Sequence, residues 1–266
     1  MKMRIRVILR IVIFLFASLV IEHAYATAQA PDYLIYKGDT LAIYSNPLES
    51  FFAKEGRPDR VFDKYGYKST ACWRGYIGYW ELRNDSLFLV KVRGASTNID
   101  LSLIFKDRKT DHGVFADWVD SSIHIPCGRL VVSMYDGYGS IFEFEKELFF
   151  KQGVLTGIKE YDNSKSKSSR FTEDRSLLLK FIQENINYAN IINNTDEDVR
   201  VLVEVRSVTP EGKIDSVQVV RGHDPERDKE AIRVVKSIPE WEVLFRSGKQ
   251  IQRPWTIPVV FKKKDE

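Results

Sequence analysis

The last third of the chain alternates apolar and polar residues in a pattern that predicts strands, one helix and a final strand. Valines at every second position of residues 199–205 predict a half-buried strand over residues 199–208, and residues 214–220 predict a second strand after a turn at Gly212. Residues 226–237 have apolar side chains at near-helical spacing, and residues 256–262 predict a last strand. This order predicts a small α+β unit in which a helix covers one face of an antiparallel sheet.

Local signals support these boundaries. Gly212 follows Pro210 where a hairpin turn needs a residue that tolerates positive φ. Asp224 precedes Pro225, which predicts an N-cap followed by proline at the first helical position. Pro239 is expected to end that helix, because proline cannot continue the hydrogen-bond pattern.

Several runs in this region resemble the TonB C-terminal domain family. The run GKIDSVQVVRG at residues 212–222 and the run DPERDKEAI at residues 224–232 have this resemblance. So do SIPEW at residues 237–241 and TIPVVF at residues 256–261, and FIQENINY at residues 181–188 resembles the family's first helix. The resemblance identifies the C-terminal domain and implies an antiparallel sheet with flanking helices.

The chain departs from the family pattern at two places. The usual Tyr-Pro pair is Tyr188-Ala189 here, and a long polar insert at residues 193–198 replaces a short glycine-containing entry to the first strand. These departures concern the entry to the sheet and leave the predicted fold unchanged.

The resemblance implies a non-enzymatic protein-binding module. Family members receive an extended receptor segment, so the expected mode is addition of a partner strand to a sheet edge. The last strand is the expected edge, with Ile257, Val259 and Phe261 as candidate contact residues, although the same residues could form the core face of a small closed sheet. Pro258 cannot donate a ladder hydrogen bond, which suits an edge or a bulge. The expected partner is an outer-membrane receptor or another envelope protein. A link to TonB-dependent outer-membrane transport and a homodimeric state are left open.

The N-terminal residues predict secretion across the inner membrane. A basic start precedes an apolar run at residues 11–21, and small residues then offer cleavage after Ala26 or Ala28. We therefore expect residues 1–26 to be a signal peptide and the protein to be periplasmic. The alternative is an uncleaved inner-membrane anchor at residues 7–21 in an energy transducer, but a spanning helix needs about 20 apolar residues, and no long proline-rich segment follows.

Charge gives no indication of a nucleic-acid partner. The chain has 40 basic and 37 acidic residues, for a formal net charge of +3. Residues 1–26 contain four of the basic residues and one of the acidic residues, so 36 of each sign remain after them. The mature chain therefore lacks the overall positive charge expected of a polyanion-binding protein.

Composition divides the chain into two predicted domains. Residues 31–161 form a mainly-β domain of unknown function, and residues 171–266 form the TonB-like domain. The polar residues 162–170 between them predict a short, flexible linker. A helix is expected at residues 173–186, at the start of the second domain.

The first domain is expected to contain three hairpins and one short helix. Residues 79–92 predict a hairpin that turns at Asn84-Asp85, residues 122–134 one that turns at 126–129, and residues 145–160 one that turns at 151–153. A helix is predicted at residues 99–105, with Asn98 as its cap.

No catalytic, metal or cofactor site is predicted. His112, His124 and His223 are far apart in sequence, and neither a nucleophile elbow nor a phosphate-binding glycine loop is present. Asp117 and Asp120 are interpreted as solvated loop residues rather than a catalytic pair. The alternative function for this domain is envelope-glycan binding through aromatic side chains, which could equally form its core. These residues are Trp73, Tyr76, Tyr79, Trp80, Trp118, Tyr135 and Tyr138.

The two cysteines, Cys72 and Cys127, both lie in the first domain. In an oxidising compartment they are candidates for a disulfide, which would stabilise the fold by about 4 kcal/mol in the chain-entropy model. The alternative is a pair of thiols packed as small apolar side chains.

Overall fold

The computed structural model describes residues 27–134, 136–192 and 197–263. Strands make up 42% of the structure and helices 24%. The N-terminal region is mostly sheet, and the C-terminal region has an antiparallel sheet flanked by helices. This arrangement confirms the predicted α+β class.

The first domain is built on one large sheet. Its strands are β1 (Asp32–Tyr36), β2 (Asp39–Ile43), β3 (Ile77–Arg83), β4 (Ser86–Arg93), β5 (Asn98–Ile99), β6 (Val114–Phe115), β7 (Ser122–Val132), β8 (Ile141–Lys151) and β9 (Val154–Asp162). The order is β2-β1-β3-β4-β9-β8-β7, and β5 and β6 both pair with β4. Among the strands that the structure describes in this sheet, β1 and β3 are the one pair that runs in parallel, so the sheet is mainly antiparallel.

The two ends of this sheet meet. The Tyr44 N–H donates to the His124 carbonyl at 2.8 Å, and the His124 N–H donates to Ser45 Oγ at 3.0 Å. Because these residues follow β2 and lie in β7, the sheet curves into a barrel-like shape around its core. Trp80 and Leu148 are fully buried in that core.

Two helices of the first domain were not predicted. They are α1 (Pro47–Glu55) and α2 (Asp59–Tyr65), and α1 buries Phe51 and Phe52. The predicted helix at residues 99–105 is shorter in the structure, as α3 (Ser102–Phe105). Asn98 is part of β5 and is not its cap.

Two of the three predicted hairpins are confirmed, and the third is wrong. Strands β3 and β4 turn at Asn84-Asp85, and β8 and β9 turn at residues 152–153. Residues 122–132 instead form the single strand β7. Gly128 has φ +74° and lies where the pairing with β8 shifts register between Cys127 and Leu130. The sequence Pro-Cys-Gly-Arg therefore forms a bulge in a continuous strand rather than a turn.

The second domain has the predicted order of elements. It contains α4 (Arg170–Glu173), α5 (Arg175–Asn185), a 3₁₀ turn (Tyr188–Asn190), β10 (Val199–Val208), β11 (Ile214–Arg221), α6 (Pro225–Lys236), β12 (Leu244–Arg246), β13 (Lys249–Ile251) and β14 (Trp255–Phe261). The main sheet has the order β11-β10-β14 and is antiparallel. The strands predicted at residues 199–208, 214–220 and 256–262 and the helix predicted at residues 226–237 are confirmed to within one residue at each end.

The local signals for this domain are confirmed too. Gly212 has φ +90°, and a Cβ there would lie 2.9 Å from the Trp241 carbonyl oxygen. The Asp224 carboxylate caps α6 by accepting hydrogen bonds from the backbone N–H groups of Glu226 and Arg227. Gly212 therefore adopts the positive φ of the predicted turn, and Asp224 is the predicted N-cap.

The segment between the domains is held in place by hydrogen bonds, which contradicts the flexible linker predicted there. Asn163, Ser166 and Ser169 are buried. The Phe245 N–H donates to Ser166 Oγ at 2.8 Å, and Ser169 Oγ donates to the Glu240 carbonyl at 3.2 Å. Polar side chains that suggested a solvated tether instead bind backbone groups of the second domain.

The N-terminal predictions lie mostly outside the described residues. Residues 1–26 include the predicted signal peptide, the cleavage position Ala26 and the alternative anchor. Ala28 is described and forms an isolated bridge with Gly137. In the part of the chain that is described, none of the helices has the length and apolar character needed to span a membrane.

Candidate partner-binding edge

Strand β14 lies at an edge of the C-terminal sheet. Within the described residues its only strand neighbour is β10, and the pairing runs in register from Val199 opposite Phe261 to Val205 opposite Trp255. One side of β14 is thus bonded to β10, and the other side is the candidate for strand addition.

The three predicted contact residues point into the core. Ile257, Val259 and Phe261 are at most 1% exposed and pack with the valines of β10 and with α6. The sequence left two interpretations open, partner contact or core. In the structure these three side chains form the core face of the sheet, so they are not accessible to a partner. The opposite side of β14 presents Thr256, Pro258, Val260 and Lys262.

Hydrogen bonds at the end of β14 show which backbone groups face away from β10. The Val260 carbonyl accepts a hydrogen bond from Gln183 Nε2 at 2.7 Å, and the Lys262 N–H donates to Tyr188 Oη at 3.1 Å. Backbone groups alternate in direction along a strand, so the even-numbered residues point outward. The N–H groups of Thr256 and Val260 and the carbonyl of Pro258 therefore face the outer side.

Pro258 fits this alternation. A proline has no N–H and would remove a ladder hydrogen bond if it faced β10. At an outward position it leaves the pairing of β10 with β14 complete and interrupts only the outer row of donors. From the sequence, Pro258 was expected to mark an edge strand or a bulge. Its even number places it with the residues of β14 whose backbone groups face outward.

One end of the outer edge is closed by α5 and the 3₁₀ turn after it. The turn is fixed by the Glu230 carboxylate of α6, which accepts hydrogen bonds from the Asn187 N–H and from Asn190 Nδ2, both at 2.7 Å. Burial alone would raise the pKa of Glu230, but these hydrogen bonds and those from Arg233 outweigh it and lower the pKa. Glu230 is therefore ionised at neutral pH and holds Tyr188 near the end of β14.

The other edge of the sheet is less regular. The pairing of β10 with β11 shifts register at three places between Leu202 and Val208. Bulges of this kind increase the local twist and oppose addition of another strand. The straight register of β14 makes it the better candidate edge.

A groove of about 1040 Å³ adjoins the closed end of β14. Its apolar lining includes Pro258, Val260 and Leu179 of α5, and its charged lining includes Arg200 and Arg221. Sequence reasoning did not find these two arginines. Arg200 alternates with buried valines and Arg221 ends β11, so the pattern indicates only that they face solvent.

The cysteines are free thiols in the structure, so the candidate disulfide is not formed. Cys72 Sγ donates to the Tyr76 carbonyl, and Cys127 Sγ donates to the Ile125 carbonyl. Burial raises the pKa of both thiols. They are therefore protonated at neutral pH and pack as small, weakly polar side chains.

Asp117 and Asp120 have separate partners. Asp117 forms an ion pair with Arg108, whereas Asp120 Oδ1 accepts a hydrogen bond from the Gln152 N–H at 2.7 Å. Nowhere in the described ranges do histidine, cysteine and carboxylate side chains cluster as a metal site would require. The two aspartates are accounted for as loop-stabilising residues.

The aromatic residues considered for sugar binding do not share one exposed face. Tyr76 and Trp80 are buried, Tyr79, Trp118 and Tyr138 stack on neighbouring rings, and Trp73 is 64% exposed. Tyr135 lies outside the described residues. Most of these rings belong to the core and its margin.

Comparison with known proteins bears on the second domain. No curated protein and no solved structure matches the chain. A family model described as the Gram-negative bacterial TonB protein C-terminal matches residues 184–262, from the end of α5 through β14, and nothing upstream of them. Residues 184–262 therefore match the TonB C-terminal domain family, whose domains are non-enzymatic protein-interaction domains of the Gram-negative envelope.

Proposed function

We propose that this protein is a periplasmic binding protein that captures an extended segment of another envelope protein on the outer edge of β14. The observation that carries this proposal is the edge position of β14, with backbone groups of Thr256, Pro258 and Val260 directed away from β10. A partner strand would extend the three-stranded sheet to four strands.

The backbone supplies the binding energy in this mode. An added strand exchanges hydrogen bonds with the outward N–H and carbonyl groups, and side chains on the two faces set specificity. The partner is a protein in this proposal, and a link to TonB-dependent outer-membrane transport follows if it is a receptor.

Two locations are compatible with this mode of binding. We propose cleavage after Ala26 or Ala28 and a soluble periplasmic protein. The second candidate is an energy transducer anchored by residues 7–21, favoured by the family of the C-terminal domain. The intact mass of the protein recovered from soluble and membrane fractions of the envelope distinguishes the two.

The strand-addition proposal is tested by proline substitution at an outward position. Val260→Pro removes an outward N–H while leaving the pairing with β10 intact, so the domain should fold but lose partner capture. Val260→Ala is the matched control and should retain capture. Capture is measured in envelope preparations with a photo-cross-linking side chain at Thr256, followed by identification of the cross-linked peptide by mass spectrometry.

Register gives a sharper readout. Positions 256 and 260 lie on one face of β14 and four residues apart, so cross-links from both should map to one partner segment with the same separation. Cross-links that scatter over the partner, or that survive Val260→Pro unchanged, would contradict strand addition. Thermal unfolding of each variant establishes that it is folded.

A further inference from the structure

The groove beside β14 begins where the open edge ends. Gln183 and Lys262 line the groove, and these residues take part in the hydrogen bonds that close the edge beside Val260. A partner strand that pairs with residues 256–260 must leave the edge at this point. The groove offers that segment a path across the outer face of the sheet.

The floor of this path is apolar. Pro258 and Val260 are half-buried, and Leu179 of α5 is half-buried beside them. In the sheet, Leu202 lies opposite Pro258 on one side and Arg221 on the other. A peptide fits this lining better than a highly charged polymer, because both backbone hydrogen bonds and apolar contacts are offered.

The outer face of this sheet has three arginines, and only one of them is paired. Arg206 forms an ion pair with Glu204 at 2.5 Å and donates to Gln218 at 2.8 Å. Arg200, opposite Val260 in the sheet, and Arg221 have neither an ion-pair nor a hydrogen-bond partner in residues 27–134, 136–192 and 197–263. Both side chains are exposed and line the groove.

The acidic residues of the groove offset these two charges only in part. Asp198 is bound to Lys262 Nζ at 2.7 Å and accepts a hydrogen bond from the Lys263 N–H at 3.1 Å. The hydrogen bond from Lys262 lowers the pKa of Asp198. This pair is internally neutral, and Glu197 is one further acidic residue of the lining. Arg200 and Arg221 therefore leave the groove with a formal positive charge, although residues 27–266 have equal numbers of basic and acidic residues.

We propose that Arg200 and Arg221 bind carboxylates of the partner, so that the site selects an extended segment followed by acidic residues. This inference rests on the proposed strand addition at β14 and specifies the chemistry of its partner. Guanidinium groups form paired hydrogen bonds with carboxylates, and two such contacts would distinguish an acidic segment from a neutral one of the same length.

The test uses the full mature chain and synthetic peptides. Two fluorescein-labelled peptides share an alternating threonine–valine segment and end in a run of either glutamate or glutamine. Fluorescence anisotropy should give a Kd about tenfold lower for the glutamate peptide at low salt. The double variant Arg200→Glu/Arg221→Glu should abolish this preference, whereas Arg206→Glu, on the same face but outside the groove, should retain it.

The outcomes separate this inference from the proposed function. Equal binding of both peptides, lost in Val260→Pro, would overturn selection of acidic residues and leave strand addition standing. A glutamate preference that survives Val260→Pro would retain the arginine site and overturn its link to the edge. Binding of neither peptide would overturn both. Competition by single-stranded DNA at a similar concentration would show a general polyanion site instead.

Discussion

The first domain contains a buried ion pair between Asp32 and Arg74. Both side chains are fully buried, with Arg74 Nη2 at 2.8 Å from Asp32 Oδ1. Asp32 also accepts hydrogen bonds from the Gly78 N–H and Trp80 Nε1. Since both oxygens of the carboxylate accept hydrogen bonds, the pair fixes the start of β1 against β3.

Removing one partner of this pair should destabilise the protein strongly. Asp32→Ala leaves the Arg74 guanidinium buried without its counter-ion, and we expect a loss of about 3–5 kcal/mol in the free energy of unfolding. The double variant Asp32→Ala/Arg74→Met removes both charges and should recover much of this loss. Urea unfolding measures both; a double variant less stable than Asp32→Ala would contradict the argument.

Residue type alone predicted some contacts and missed others. Gly212 and Asp224 were predictable because positive φ and helix capping restrict the residues that fit. The roles of Ser166 and Ser169 were not, because serine is common both in mobile segments and in buried turns. What separates the two cases is the presence of a backbone partner, and that partner lies far away in sequence.

At the scale of elements, α6 depends on its N-cap. Asp224 accepts hydrogen bonds from two N–H groups and from His223, and it forms an ion pair with Arg227. Burial would raise the pKa of Asp224, but the Arg227 N–H, His223 and the Arg227 guanidinium outweigh it and lower the pKa to about 2. The carboxylate form is therefore the one that caps the helix.

The cap should make stability depend on acid pH. The folded-state pKa lies below the unfolded value of about 4, so the contribution is present above that value and is lost as pH falls towards 2. At pH 6, Asp224→Ala should cost about 1 kcal/mol, and this difference from the wild type should shrink near pH 2. Urea unfolding at both values checks it. Asp224→Asn, which keeps a cap, should be less destabilised at pH 6.

The elements themselves were predicted unevenly. The valine alternation of β10 and the cap and spacing of α6 are local signals, so the second domain followed from its sequence. Strand β7 did not, because the glycine in its bulge gives the same signal as a turn. For the binding edge, alternation identified two faces of β14, but which face is buried depends on α6 and α5, and the outward backbone groups depend on pairing with β10.

At the scale of the whole molecule, a hairpin joins the two domains. Leu244 of β12 packs with Val132, Met134 and Ile141 of the first domain. The Ser247 N–H donates to Glu145 Oε2 at 3.0 Å. The hydrogen-bonded segment at residues 163–169 and this hairpin together hold the second domain against the first. We propose domain boundaries at residues 161 and 171, with the intervening residues as a structured connection.

This contact between the domains should make them unfold together. We expect one calorimetric transition for the wild type, and two for Leu244→Asp, because a charge at this buried position separates the contact. Leu130→Asp, at a residue of β7 that is 45% exposed, is the control and should leave a single transition. Two transitions in the wild type would show that the domains are independent.

The proline in β14 has a consequence for how the protein behaves at high concentration. An exposed edge strand is a template on which identical chains stack and precipitate. Pro258 interrupts the outward row of donors, and Gln183 and Tyr188 occupy the end of the row. A second β14 docking there would meet a missing donor on both sides of the junction. We therefore expect the proline of the outer edge also to disfavour self-association of the protein through β14.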